Sequence, residues 1–159
     1  MAKGQGVSRP TVPDAIKAPA GEDVVLVARA AGAQIYTCTK GSDGAFSWTL
    51  KAPEADLRDD KGAVIGKHYA GPTWKLNDGS EVAGKAAARA DAPEADGIPW
   101  LLLTVTANSG KGALAGVTTV QRIHTRGGQA PADGCAASSQ GTEKRVSYTA
   151  DYYFYAAKK

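Results

Sequence analysis

The sequence predicts an all-β fold, a single-domain β-sandwich or barrel of roughly nine to ten short strands. Three observations carry that prediction. Runs of alternating apolar and polar residues recur along the chain, most clearly at "QIYTCTK", "AFSWTLK" and "RVSYTADYYFYAA". Turn signals built on Gly, Asn, Asp and Pro fall between these runs at near-regular spacing. No helical period alternates with strands, and no glycine-rich phosphate loop or internal repeat is present, which sets aside a parallel α/β sheet.

The elements follow in order. Residues 1–18 are rich in Gly and Pro and read as a flexible N-terminal arm ahead of one domain over 19–159. "DVVLVARA" (23–30) is β-branched and apolar, and "GAQ" then reads as a turn. "QIYTCTK" (34–40) alternates, with Tyr36 and Cys38 on one face. "AFSWTLK" (45–51) puts Phe46, Trp48 and Leu50 on one face, where they are expected to be buried together. "APEADLRDDKG" interrupts the pattern before "AVIGKHY". "TWKL" and "EVAGKAAARA" flank the turn "NDGS" as a hairpin. The alanine run 86–90 has helical propensity, but the preceding hairpin favours a strand. "IPWLLLTVTANSG" (98–110) is nearly continuous and reads as a strand buried on both faces. "VTTVQRIHT" (117–125) places Val120, Arg122 and His124 on one face and Thr119, Gln121 and Ile123 on the other. Residues 126–144 lack periodicity and form a long loop, of a length that is often functional or disordered. The last strand carries Tyr148, Ala150, Tyr152 and Phe154 on one face and Thr149, Asp151, Tyr153 and Tyr155 on the other.

Composition narrows the function classes. At 159 residues the chain fits one domain with a self-sufficient core. The net charge of +3 is scattered, with acids beside most bases as in "DLRDDK", so no nucleic-acid partner is expected. No apolar run reaches the ~20 residues of a membrane-spanning helix. The first residues contain no apolar core of a signal peptide; a secreted or periplasmic protein whose leader has been replaced by an initiating Met would look the same. Two cysteines, Cys38 and Cys135, lie outside any metal-binding spacing. They are either two buried thiols or one disulfide closing a loop of nearly a hundred residues. The disulfide is preferred, and it would require an oxidising compartment.

Chemistry-bearing residues are few. His68 and His124 are the only imidazoles. If the fold brings them together they offer a metal site, for a carrier or a metal-dependent enzyme, completed by Asp78, Asp133 or Asp151. No HxH, HExxH or Cys-His spacing supports it, and no cofactor is expected. No GxSxG elbow marks a nucleophile, and catalytic residues cannot be named. The stretch "HYAGPTW" is the stronger candidate. Gly71-Pro72 sets a tight turn, so His68 and Trp74 fall on paired strands, with Tyr69 beside them and Asp78 on the following turn. Such a corner, open to water, suits a small polar or carbohydrate-like ligand. The alternative is that Trp74 is core and His68 satisfies a buried carbonyl. Arg122 with His124 offers an anion or carboxylate site; the plainer expectation is an internal ion pair from Arg122 to Asp151.

The series "GAQIYTC", "FSWTLKAPEADLRDDKGAVIGKHYAGPTWKLNDGSEVAGK", "IPWLLLTV", "GALAGVTTVQRIHTRGGQAP" and "YTADYYFY" resembles the DUF3455 family over nearly the whole chain. The resemblance implies export and no particular activity. It draws attention to Gln121, Arg122 and Thr125, polar residues on and just beyond a strand. The combined expectation is an exported, non-catalytic β-domain holding its ligand near His68, Tyr69, Trp74, Asp78, Arg122, His124 and the 125–135 loop. An assembly module, oligomeric through its edge strands, is the structural alternative.

Overall fold

A computed structural model describes residues 8–158. Eight strands follow one another around a closed antiparallel barrel: β1 (Glu22–Lys40), β2 (Phe46–Arg58), β3 (Val64–Tyr69), β4 (Thr73–Leu76), β5 (Glu81–Ala90), β6 (Trp100–Ser109), β7 (Val117–Gly127) and β8 (Glu143–Ala157). Each strand pairs with its sequence neighbours, and β8 returns to β1, with Glu22 opposite Ala157 and Thr37 opposite Glu143. Among the described residues the only helical turns are short, at Asp14–Ile16 and Ala137–Ser139.

The strand count is eight rather than nine to ten because "GAQ" is not a turn. β1 runs straight through Gly32 and pairs with β2 on one side and β8 on the other. The glycine is there for contact: a Cβ at position 32 would lie 2.1 Å from the Glu54 carbonyl oxygen and 2.5 Å from the Ala55 Cα. The alanine run 86–90 is strand, as its hairpin position predicts.

Alternation decides what faces inward. Tyr148, Ala150, Tyr152 and Phe154 of β8 point into the barrel with Ala28, Leu57, Trp74, Val82, Leu103 and Val120. The opposite face would be open to water, but residues 8–18 lie along it. The sequence reads these as part of a flexible arm. In the fold, Ile16 is fully buried against Trp100 and Ile123, with Val12, Leu102 and Tyr153 packed around them. Gln121 Nε2 donates to the Ile16 carbonyl at 2.8 Å, and Arg9 donates to the carbonyls of Ala18 at 2.9 Å and Glu22 at 2.7 Å. Residues 1–7 of the expected arm lie outside the described residues.

This covering segment corrects two expectations for β6. The strand is buried on both faces only at its start, where Trp100 and Leu102 face the segment and Leu103 faces the core; from Thr104 onward its outward side chains are exposed. Likewise Phe46, Trp48 and Leu50 are not buried together: Phe46 and Trp48 are half-buried and Leu50 is 48% exposed. β2 pairs with β3 only over Ala55–Arg58, so its first half projects beyond the stretch where the barrel is zipped on both sides. Trp48 instead donates through Nε1 to the Asp133 carbonyl at 2.9 Å. That contact belongs to the loop held by the disulfide Cys38–Cys135, which spans 97 residues of sequence. The thiols are paired, as preferred.

Candidate functional site

At the end of the barrel where β2 lacks its β3 partner, the interior opens into a cavity of about 330 Å3. All eight strands contribute to its wall: Gln34 from β1, Leu50–Pro53 from β2, His68 from β3, Trp74 from β4, Ala86 from β5, Leu101 and Leu103 from β6, Arg122 from β7 and Tyr152 from β8. The turn Ala70–Gly71–Pro72 forms part of the rim. The cavity is thus one open end of the barrel lumen, the rest of which is filled by core side chains. Eight strands leave an interior just wide enough to be filled by side chains or to hold one small ligand.

His68 and Trp74 are opposite one another in the β3–β4 register, as the tight turn predicts. Their rings stack with centroids 4.6 Å apart and planes within 16°, and Tyr152 approaches both. The corner is not open to water as expected. His68 is 3% exposed and Trp74 is 1% exposed. Both positions follow from the inward parity of β3 and β4, which turns the pair toward the lumen rather than toward the surface.

The His68 Nδ1 lies 2.9 Å from the Thr73 carbonyl. A carbonyl only accepts, so Nδ1 carries the proton and Nε2 keeps a lone pair. Burial lowers the His68 pKa to about 4; the Thr73 carbonyl opposes that shift and the Arg122 charge adds to it. The ring is therefore neutral at neutral pH. Burial also raises the pKa of Tyr152 and Tyr148, whose hydroxyls are 3.1 Å apart, and both stay protonated.

Arg122 does not pair with Asp151. Its Nε and Nη2 both donate to the Pro99 carbonyl, at 3.1 and 2.8 Å. Asp151 is on the outer face, where it accepts from Arg29 at 3.1 Å and lies 2.7 Å from His124 Nδ1. The expectation that Arg122 and His124 share a face fails for a local reason. The β7–β8 register slips between Ile123 and Arg126, and His124 takes φ of 53°. This bulge rotates the His124 side chain outward, against the edge of Trp100 with centroids 5.5 Å apart. His68 and His124 therefore lie on opposite sides of the barrel wall. Among the described residues no three His, Cys, Asp or Glu side chains are grouped as a metal site.

Two other predicted residues are also placed apart from the lumen. Tyr69 borders an outer groove with Gly32, Glu54 and Lys67. Asp78 is structural: it accepts from the Ser80 backbone at 2.9 Å, the Ser80 hydroxyl at 2.6 Å and the Ala113 backbone at 2.9 Å, and these donors lower its pKa. The 125–135 loop does not line the cavity. Of the predicted ligand residues, the structure brings together His68, Trp74 and Arg122. It adds Gln34 and Tyr152. Gln34 is buried, and its Oε1 has no hydrogen-bond partner; Trp74 Nε1 is likewise unpartnered. The signal for Gln34 was the inward alternation from Ala28 and Ala30, visible only once β1 is read as one strand.

Residues 19–156 match the family described as a protein of unknown function, DUF3455. The match covers nearly the whole chain, and the protein belongs to that family. None of the curated proteins and none of the solved structures matches the chain.

Proposed function

Since membership of the DUF3455 family passes on no assigned activity, we propose a function from the lumen: an exported, non-catalytic protein that binds one small polar or carbohydrate-like ligand inside the barrel. The observation that carries this reading is the cavity itself. It is walled by all eight strands, largely apolar, and holds a few convergent polar groups, the usual composition of a small-molecule site. A packed core would fill that space, since interiors hold few voids larger than water. The non-catalytic part is supported by the lining. It holds one imidazole and no Ser, Cys, Asp or Glu for that imidazole to activate. Export is supported by the Cys38–Cys135 disulfide, a bond that persists in oxidising compartments.

Tryptophan fluorescence titrated with a panel of glycans and small metabolites tests the reading. Trp74 lies in the lumen wall, so an occupant perturbs its emission. Ala86, exposed at the mouth, allows a control that leaves the core intact: Ala86→Trp plugs the cavity and abolishes the response. A flat response across the panel, or one that survives the plug, refutes the proposal. The assembly alternative retains one supporting feature, the first half of β2, which pairs with β1 but has no β3 partner on its other side. Lys51 and Pro53 on that stretch oppose strand addition, and light scattering across a wide concentration range decides it.

A further inference from the structure

We infer that the lumen ligand is an organic monocarboxylate with a compact apolar body, its carboxylate held by Arg122; this rests on the lumen being a binding site. The first observation is the charge of the wall. The lining contains two cations, Lys51 and Arg122, and no acid. Lys51 is matched by Glu143 at 2.6 Å. Arg122 has no ion-pair partner among the described residues. A guanidinium cannot lose its proton in a protein, and this one is half-buried with only the Pro99 carbonyl accepting from it as a backbone group, so a bound anion would complete its charge.

The second observation is which donors are free. A guanidinium has five N–H groups in a fixed fork. Arg122 directs Nε and one Nη2 hydrogen at a single carbonyl, that of Pro99. No carbonyl or carboxylate of the described residues accepts from Nη1, and the side-chain group within hydrogen-bond reach of the guanidinium is the neutral Tyr152 hydroxyl. The free side of the fork has the shape of a carboxylate. Tyr152 adds a further donor. When Tyr148 donates to Tyr152 across their 3.1 Å contact, the Tyr152 proton is left for another acceptor. Both phenols remain protonated because burial raises their pKa.

The rest of the lining selects among anions. One unpaired cation is neutralised by one negative charge, whereas a phosphate dianion leaves an excess charge among Leu50, Pro53, Leu101 and Leu103. The neutral His68, with its Nε2 lone pair, repels a second carboxylate and accepts a ligand hydroxyl or amide hydrogen. The space corresponds to roughly ten waters at ~30 Å3 each. That accommodates an acid of benzoate size.

Isothermal titration of the whole protein with benzoate, benzamide, glucuronate, glucose and inorganic phosphate tests the assignment. Benzoate and benzamide share a shape and differ in charge, so the comparison needs no variant. The expected result is that an acid binds with Kd below about 1 mM and at least about tenfold tighter than benzamide, glucose and phosphate. Arg122→Gln removes that preference, Arg122→Lys restores part of it, and Ala86→Trp abolishes binding. If benzamide or glucose binds as tightly as the acids and the plug blocks it, the lumen reading stands and the carboxylate assignment falls. Tighter binding of phosphate overturns the assignment in the same way, and acid binding indifferent to Arg122→Gln places the anion elsewhere. No binding by any of the five compounds ends both readings.

Discussion

Lowering the pH from 7 to 5 is expected to destabilise the fold by about 2 kcal/mol through His68 alone. The imidazole ordinarily titrates near 6.5, and in the folded protein burial lowers this to about 4. Between those values the unfolded chain binds the proton and the folded chain refuses it, so stability rises with pH. The contribution is complete above pH 6.5, declines as the pH falls from about 6.5 to about 4, and is flat below. At about 1.36 kcal/mol per pH unit, the full loss is about 3 kcal/mol, of which about 2 has occurred by pH 5. The ring is 3% exposed, so solvent does not screen the effect. The physical source is the burial of the ring against Trp74 and Tyr152, which strips most of the water from a cation, with the Arg122 charge adding to the penalty.

Urea unfolding at pH 7 and pH 5, followed by tryptophan emission, measures the loss. The comparison is with His68→Asn, whose side-chain amide replaces the donor to the Thr73 carbonyl but does not titrate. The variant is less stable at both pH values because it loses the ring stack, and its stability falls less between them. The difference between the two falls is the His68 share, because other titrating groups are common to both proteins. Equal falls in the two proteins would refute a buried neutral imidazole, and with it the assignment of Nε2 as an acceptor in the lumen.

Reduction of Cys38–Cys135 costs up to about 4.7 kcal/mol if the stabilisation comes from restricting a loop of about a hundred residues in the unfolded chain; unchanged urea midpoints with and without dithiothreitol would contradict it. Gly32→Val adds a Cβ that would overlap the Glu54 carbonyl oxygen, forces β1 and β2 apart there and costs at least about 1–3 kcal/mol, read as a lower urea midpoint, and a neutral outcome would mean the strands separate at no cost. Ile16→Ala leaves a void between the N-terminal segment and the barrel wall and costs about 2–5 kcal/mol. If instead the variant matches the wild type, the segment does not stabilise the outer face.

The strands were legible because a closed barrel imposes alternation on each of them. β8 shows this best, with every inward residue from Tyr148 to Phe154 assigned by parity alone. What misled was the meaning of single residues. Gly32 looked like punctuation and is a point of close approach, and the two cannot be told apart without knowing which strand runs beside it. Parity also fails wherever one residue is added, as at His124, where the bulge reverses the face and separates two imidazoles that share a period on paper. The N-terminal segment has no period, so its docking was invisible; its trace lies on the wall, where Gln121 and Ile123 face outward yet are buried.

The site depends on a feature that no local pattern contains, the place where the barrel stops zipping. β3 ends at Tyr69 because Ala70–Gly71–Pro72 turns the chain back into β4. Pro72 has no N–H to extend a ladder. On the facing strand, Pro53 likewise has none, so the β2–β3 pairing extends from Arg58 only as far as Ala55. Beyond that point Leu50, Lys51, Ala52 and Pro53 face an opening instead of a neighbouring strand, and the lumen is reached there. The Gly-Pro turn between His68 and Trp74 therefore does two separate things. It aligns the imidazole with the indole across a hairpin, which the sequence suggests. It also shortens β3 enough to leave a mouth, which follows only when closure brings β2 alongside. Because the mouth is made by missing strand pairing, the cavity opens to solvent without a moving lid.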